Sequence, residues 1–167
     1  MKLDIYVNYP GTCEAAFRFY ERHVGGKITL MSSHADQPNP NIPADWKQKI
    51  LHARLEIGGA VLMGADIPGA EPMRSAYLTL RTGSAQEAER LYALLGEGGQ
   101  IFMKMEQTFF ANRFAMLRDR FGTSWMLLHE SGRTSASPGR TRRTTCSAWC
   151  RTTSRRSRSA SRAPRCS

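Results

Sequence analysis

The sequence predicts an α+β fold made of two βαβββ modules, at residues of about 1–67 and 74–130, followed by a disordered tail at 131–167. Two observations support this prediction. A strand pattern, a helix pattern and three further strand patterns follow one another, and this order occurs twice. The composition also changes abruptly after residue 130. Modules of about 60 residues are short for independent domains, so we expect both to pack into one domain.

The first module is predicted from residues 3–66. Apolar residues occupy every second position from Leu3 to Tyr9, which is typical of a strand. In the segment TCEAAFRFYERHVGG the apolar residues recur at spacings of three and four, between a capping Thr12 and a Gly-Gly pair, which predicts a helix. Three strand candidates follow, with the sequences KITLM, KILHARLEI and AVLMGAD.

The second module repeats this order. The strand candidate AYLTLRT precedes the helix candidate SAQEAERLYALLGEGG, in which Ser84 and Glu87 form a capping box and Gly98-Gly99 ends the helix. The last three strand candidates are QIFMKM, RFAMLRD and SWMLLHE. Asp119, just before the last of these, is expected to close a turn with its side chain rather than to act in catalysis.

The positive charge of the chain is confined to the tail. The formal net charge is +10, and residues 131–167 contain ten arginines and no acidic residue, so residues 1–130 are neutral. A nucleic-acid-binding domain would carry its basic residues on a folded face, so only the tail could bind nucleic acid. The tail has almost no apolar residues and is predicted to be disordered. Two explanations stay open, an RNA-binding extension and a shifted reading frame near residue 131, and we favour the second.

Cysteine content and apolar runs predict a cytoplasmic protein. Cys13 is the only cysteine before residue 131, which supports no disulfide framework. No segment approaches the roughly 18 apolar residues of a membrane span, so no membrane partner is expected. The sequence also has no Walker A loop, G-x-G-x-x-G, H-E-x-x-H or G-x-S-x-G motif, which argues against nucleotide-binding, protease and esterase functions.

Two groups of spaced residues resemble the PhnB-like branch of the glyoxalase/bleomycin-resistance/dioxygenase superfamily, also called vicinal oxygen chelate. One group lies in GTCEAAFRFYERHVGG, and the other comprises Thr108-Phe109 and the segment DRFGTSW at residues 119–125. The resemblance covers residues 1 to about 130. It implies curved mixed sheets around a small-molecule cleft, and a homodimer. Enzymes of this superfamily hold a divalent metal with one ligand from each of four strands.

The four ligand positions that the resemblance implies are occupied here by Ile5, Met63, Tyr77 and Met126. These side chains offer no carboxylate or imidazole to Mg²⁺, Mn²⁺ or Zn²⁺. We therefore expect no metal and no cofactor, and predict a protein that binds a small apolar or aromatic molecule. Roughly half of the aromatic and methionine candidates should prove to be core, because successive strand side chains point to opposite faces. The predicted ligand-binding residues are Ile5, Tyr9, Met63, Tyr77, Met103, Thr108, Phe110 and Met126.

His52 and Glu56 leave an enzymatic alternative open. They share one face of a predicted strand, where His52 could act as a general base in a lyase, isomerase or dioxygenase, with or without a metal. Asp66 ends the next strand and would complete a possible metal set. We favour a structural explanation for all three, namely a solvated strand face and an aspartate that caps a turn.

Overall fold

A computed structural model of the chain describes residues 3–37 and 42–130, which belong to one compact unit. The predictions made for residues 131–167 lie outside this part. The α+β order of two βαβββ modules is confirmed. A short 3-10 turn, Ala44–Trp46, lies between β2 and β3. The strands and helices are β1 (Ile5–Tyr9), α1 (Cys13–Val24), β2 (Lys27–Ser33), β3 (Ile50–Ile57), β4 (Ala60–Asp66), β5 (Leu78–Arg81), α2 (Ala85–Gly96), β6 (Gln100–Glu106), β7 (Arg113–Arg118) and β8 (Ser124–His129).

Each module forms a four-stranded mixed sheet. The strand order is β1-β4-β3-β2 in the first sheet and β5-β8-β7-β6 in the second. The first strand of a module pairs in parallel with the last, and the other pairs are antiparallel. The first strand therefore lies at one edge of its sheet.

Helix α1 is stopped as predicted but starts differently. Gly25 ends it with a left-handed φ of 91°, which suits a residue without Cβ. Thr12 occupies the cap position without a side-chain cap bond. The Asp66 carboxylate instead accepts a 2.9 Å hydrogen bond from the backbone N–H of Cys13, so the first turn is capped from β4.

The capping box of α2 is confirmed. The backbone N–H of Glu87 donates to the hydroxyl of Ser84 at 3.1 Å, and the Glu87 carboxylate accepts from the backbone N–H of Gly83 at 3.0 Å. The box thus fixes the start of the helix that covers the second sheet.

Each sheet has one face packed against its helix and one face without a helix, which we call the open face. In the first sheet Val7, Gly64 and Ala53 are register partners and share the helix-packed face, because a Cβ added to Gly64 would lie 2.8 Å from the ring of Phe17 in α1. The alternate residues form the open face. Its members are Tyr6, Leu30, Ser32, His52, Arg54, Glu56 and Met63.

In the second sheet, the helix-packed face belongs to the main core. Trp125 and Leu127 of β8 share that core with Leu91 of α2. The alternate residues again form the open face. Its members are Thr79, Phe114, Met116, Arg118, Ser124, Met126 and Leu128.

Buried hydrogen bonds join the two modules. The Asp119 carboxylate accepts from the Tyr20 hydroxyl at 2.6 Å and from the Trp125 indole N–H at 2.7 Å. It also accepts from the backbone N–H groups of Phe121, at 2.9 Å, and Thr123, at 3.0 Å, so the predicted turn-closing role is confirmed. Burial raises the pKa of Asp119, and the four donors oppose this shift.

Two tyrosines of the first module meet one threonine of the second. The hydroxyl of Thr123 lies 3.1 Å from that of Tyr9 and 2.9 Å from that of Tyr20. The single Tyr20 hydroxyl proton is directed at Asp119, so the Thr123 hydroxyl can donate to Tyr20 while it accepts from Tyr9. These four side chains form a continuous hydrogen-bonded chain between the modules, which we call the Asp119 chain.

Candidate functional site

The open face of the second sheet carries a contiguous apolar surface, in which Phe114 and Leu128 are buried and Met116 and Met126 are half-buried. Phe114 and Leu128 form a small cluster separate from the main core, and Met116 and Met126 pack against it. The ring of Phe110 extends this surface, with its centroid 5.0 Å from that of Phe114. Aromatic rings and flexible thioethers together suit contact with planar apolar molecules.

Large apolar side chains beside this surface remain in contact with solvent. Phe102 is 41% exposed and packs edge-on against Tyr77, with the ring centroids 6.2 Å apart. Phe110 is 46% exposed, and Phe109 is fully exposed. Contiguous apolar exposure of this kind marks interaction surfaces on proteins, so this face is the first candidate for ligand contact.

The open face of the first sheet is polar by contrast. The Tyr6 hydroxyl lies 3.5 Å from Nδ1 of His52, and the two rings stack with their centroids 5.8 Å apart. Arg54 and Glu56 form an ion pair at 3.3 Å on the same face. Burial raises the pKa of the Tyr6 phenol, so this group stays protonated near neutral pH and can serve as a hydrogen-bond donor.

The structure places other residues at two of the four positions at which the resemblance implies metal ligands, namely Tyr6 instead of Ile5 and Thr79 instead of Tyr77. Ile5 pairs with Leu62 on the helix-packed face, and Tyr6 takes its place on the open face beside Met63. Ile5 itself lines an apolar cavity described below, so its role as a ligand-binding residue stays a prediction.

The other module has an equivalent pair of residues. Thr79 of β5 is the register partner of Met126 in β8, as Tyr6 is of Met63, and the Thr79 hydroxyl donates to the Met126 sulfur at 3.8 Å. Two hydroxyls and two thioethers thus occupy the equivalent positions. This donor set does not fit a hard divalent cation, which takes carboxylate oxygen or imidazole nitrogen.

Tyr9 and Thr108 have structural roles. Tyr9 has no solvent exposure, and its hydroxyl belongs to the Asp119 chain, so it is a core residue rather than a ligand contact. The Thr108 hydroxyl accepts from the backbone N–H of Ala111 at 3.2 Å and shapes the loop that carries Phe110. Tyr9 is the only buried residue among the eight predicted ligand-binding residues, which is fewer than the expected half.

The remaining predicted residues divide between the two modules. Met103 is the register partner of Met116, whose other partner is Met126, so these three lie together on the open face of the second sheet. Tyr77 and Phe110 flank that face through their contacts with Phe102 and Phe114. Met63 lies on the open face of the first sheet. Sequence reasoning missed Tyr6, Phe102, Phe114, Met116 and Leu128.

The structure does not assemble His52, Glu56 and Asp66 into one site. His52 and Glu56 lie on the open face, whereas the Asp66 carboxylate is buried and accepts from the backbone N–H groups of Cys13 and Ile50, both at 2.9 Å. Across residues 3–37 and 42–130, no group of three or more His, Cys, Asp or Glu side chains could hold a metal ion. Asp66 therefore has a structural role, but it caps the start of α1 and holds β3 rather than capping a turn as expected.

An apolar cavity of about 310 Å³ lies where the two modules meet. Ile5 and Leu62 of the first module line it together with Leu78 and Trp125 of the second. This cavity explains where the Ile5 side chain points, and it was not predicted from the sequence.

In the described part of the chain, no helix is long and apolar enough to cross a membrane.

Comparisons with known proteins give consistent results. The family model of the Glyoxalase/Bleomycin resistance protein/Dioxygenase superfamily matches residues 2–127. Protein YjdN of Escherichia coli K12 is 28% identical over 138 residues, which cover 76% of this chain and 94% of YjdN. The crystal structure of PA1353 from Pseudomonas aeruginosa is 40% identical, with a TM-score of 0.71, and the match covers 78% of this chain and 98% of PA1353. A PhnB protein from Bacillus cereus shares the fold at 22% identity, with a TM-score of 0.65 and coverage of 77% and 99%.

Proposed function

We propose that this chain, which belongs to the Glyoxalase/Bleomycin resistance protein/Dioxygenase superfamily, is a metal-free protein that binds a small apolar or aromatic molecule. The observation that carries the proposal is the apolar open face of the second sheet. Phe114, Met116 and Met126 are contiguous there, and the partly exposed rings of Phe102 and Phe110 flank them. A planar ligand bound on this surface would remove apolar area of the protein and apolar area of the ligand from water.

Burial supplies enough free energy for such binding. Each 100 Å² of apolar surface removed from water contributes about 2.5 kcal/mol. A bicyclic aromatic compound that buries one face against these side chains would therefore gain several kcal/mol before its loss of translational freedom. Micromolar affinity is a reasonable expectation for a ligand of this size.

The metal-free part of the proposal is supported by the donor set. Tyr6, Met63, Thr79 and Met126 occupy the open-face positions equivalent to those of metal ligands in the superfamily. Neutral hydroxyls and thioethers bind Mg²⁺, Mn²⁺ and Zn²⁺ weakly. The proposal accordingly assigns no metal or other cofactor to the chain.

We further propose that the chain forms a homodimer in the cytoplasm. The solvent-exposed aromatic side chains of Phe109 and Phe110 support a second copy as the partner, because covering them would remove apolar area from water. Cys13 as the single cysteine of residues 1–130 is in keeping with a reducing compartment. Native mass spectrometry of protein purified without chelators would measure oligomeric state, bound metal and bound small molecules together.

The binding proposal is tested with a neutral fluorescent probe, N-phenyl-1-naphthylamine, which avoids attraction to the basic tail. Wild type should bind the probe with saturation. Met126→Glu should weaken binding at least about tenfold, because an unpaired carboxylate would lie in apolar surroundings. Met126→Leu keeps an apolar side chain and should retain binding. Leu3→Glu adds the same charge at a site that is 92% exposed, and it controls for charge alone.

The probe titration also defines the results that would contradict the binding proposal. If wild type does not bind the probe, or if Met126→Glu and Leu3→Glu behave alike, the open face of the second sheet is not the receptacle. Binding that survives in Met126→Glu would point instead to the apolar cavity lined by Ile5 and Trp125.

One observation favours an enzymatic alternative. The Tyr6 hydroxyl, held near Nδ1 of His52, would act as a proton donor, while His52 would act as a general base in a lyase, isomerase or dioxygenase and Glu56 would assist from the same face. Titration with Mn²⁺, Ni²⁺ and Zn²⁺ separates the two functions. Tight metal binding by wild type that His52→Ala abolishes, together with no response to aromatic probes, would replace the receptacle proposal by this alternative.

A further inference from the structure

A second cavity, of about 390 Å³, lies at the far end of β1 from the apolar cavity. The turns at residues 98–100 and 118–122 line it from the second module, and Asn8 and Thr12 line it from the first. None of the site residues predicted from the sequence lines this cavity. Its lining contains charged side chains of both signs, those of Arg118 and Arg120 and those of Glu71 and Asp119.

Both guanidinium groups are held in place by aromatic rings. The guanidinium carbon of Arg118 lies 5.2 Å from the ring centroid of Phe102. That of Arg120 lies 4.9 Å from the centroid of Phe19 and 5.1 Å from that of Phe121. An arginine stacked on a ring keeps its N–H groups available around the rim of its plane. Anion oxygens accept hydrogen bonds from these N–H groups.

Neither arginine is neutralised by an acid within the described residues. The Asp119 carboxylate, between them in sequence, receives its four hydrogen bonds from groups of the core and the turn. Glu71 lines the cavity but lies 3.7 Å from Arg74, outside it. Nε of Arg118 is buried without a hydrogen-bond acceptor. The lining therefore combines two arginines that no acid among the described residues pairs with and two carboxylates, those of Asp119 and Glu71, that have other partners.

The shape of the cavity depends on close backbone approaches. A Cβ at Gly99 would overlap the carbonyl oxygen of Arg118, and Gly98 has a left-handed φ of 69°. Gly122 has a φ of 94°, and a Cβ there would lie 3.3 Å from Pro72. Larger residues at these positions would displace the two turns, so the glycines maintain the distance between the walls.

We propose that this cavity binds the phosphate-type oxyanion group of a small molecule, at a site that adjoins the open face of the second sheet and shares Arg118 with it. A tetrahedral dianion has enough oxygens to accept from Arg118 and Arg120 at once and to balance both charges. The hydroxyl of Thr12 and the amides of Asn8 and Gln100, which also line the cavity, can supply further hydrogen bonds. The inference does not depend on the aromatic-binding proposal.

The test uses the full chain and anions whose ionic strength is matched. Inorganic phosphate should shift the backbone amide resonances of Gly98 and Gly99 with saturation, and acetate and chloride should bind at least tenfold more weakly. Arg120→Gln should lower phosphate affinity at least tenfold; Arg120 is exposed, so the fold should tolerate the change. Lys27→Gln removes the same charge from the exposed start of β2 and should leave phosphate affinity unchanged.

Two results would overturn the inference. One is an equal response to phosphate, acetate and chloride. The other is an equal loss of phosphate affinity in Arg120→Gln and Lys27→Gln, which would indicate unspecific attraction that includes the arginines after residue 130. Arg120→Gln should bind N-phenyl-1-naphthylamine as wild type does, so failure of this site and failure of the aromatic site can be told apart.

Discussion

Removal of the Tyr20 hydroxyl should destabilise the domain more than removal of the Tyr9 hydroxyl. Both side chains have no solvent exposure, and both hydroxyls belong to the Asp119 chain. Tyr20 donates to a carboxylate at 2.6 Å, whereas Tyr9 bonds only the neutral hydroxyl of Thr123 at 3.1 Å. Tyr20→Phe and Tyr9→Phe therefore make the same chemical change against acceptors of different charge.

The expected magnitudes follow from these acceptors. A hydrogen bond to a charged group contributes about 1.5–3 kcal/mol and a neutral one about 1 kcal/mol. Tyr20→Phe also removes the bond to Thr123, so we expect a loss of about 2.5 kcal/mol, against about 1 kcal/mol for Tyr9→Phe. With roughly 4 °C per kcal/mol for a domain of this size, Tm should fall by about 10 °C and about 4 °C respectively.

Urea unfolding at pH 8, followed by far-ultraviolet circular dichroism, measures both losses under one condition. The slope m should be unchanged in both variants, because neither substitution alters the surface exposed on unfolding. An equal or larger loss in Tyr9→Phe would refute the argument that the charge of Asp119 makes the difference. Losses below about 0.5 kcal/mol in both variants would mean that the chain contributes little to stability.

Three further outcomes are expected. Gly99→Ala should lower the free energy of unfolding in urea by at least about 2 kcal/mol, because the added Cβ would overlap the Arg118 carbonyl oxygen. Gly83→Ala is the control: its Cβ would lie 3.8 Å from the nearest atom, so the free energy of unfolding should change by less than about 0.5 kcal/mol. Ser84→Ala should cost about 1 kcal/mol by the same assay, and Ser84→Asp, which keeps an acceptor, should recover most of it. Burial raises the pKa of the Cys13 thiol, so this thiol should react slowly in the native protein. In a variant whose three cysteines after residue 130 are changed to serine, a disulfide reagent at pH 8 should modify native protein far more slowly than unfolded protein. Equal rates would contradict the burial of Cys13.

Much of the secondary structure could be predicted from the sequence because its signals are local. The continuous apolar run of AVLMGAD predicts the strand at residues 60–66, and β4 has those bounds. The pair Ser84 and Glu87 predicts the start of α2, and the hydrogen bond between them forms. Such signals need no knowledge of the tertiary fold.

The assignment of side chains to faces was less accurate. Ile5 was placed at a metal-ligand position because of a resemblance, whereas in the structure it pairs with Leu62 and lines the apolar cavity. A shift of one residue moves a strand side chain to the opposite face, so a small error of alignment reverses the interpretation. The apolar cluster on the open face of the second sheet was not predicted, because nothing in the sequence distinguishes Phe114 and Leu128, which are buried, from the residues of the main core.

Contacts between modules could not be predicted from local patterns. Tyr20 and Asp119 are 99 positions apart, and nothing near either residue indicates the other. The same holds for the cavity of Arg118 and Arg120, which requires the end of β1 as its opposite wall. Its basic residues are too few to stand out in a neutral body of 130 residues.

The Asp119 chain has a consequence for dividing the protein. If the polypeptide were cut between the modules, near residue 70, the second fragment would keep a buried carboxylate deprived of its Tyr20 donor, and the first would keep two buried phenols without their Thr123 partner. Unsatisfied polar groups of this kind favour reassociation of the two fragments, because each fragment supplies the hydrogen-bond partners of the other. The two halves should therefore fold by complementation when mixed, and this sets the domain apart from a pair of autonomous repeats.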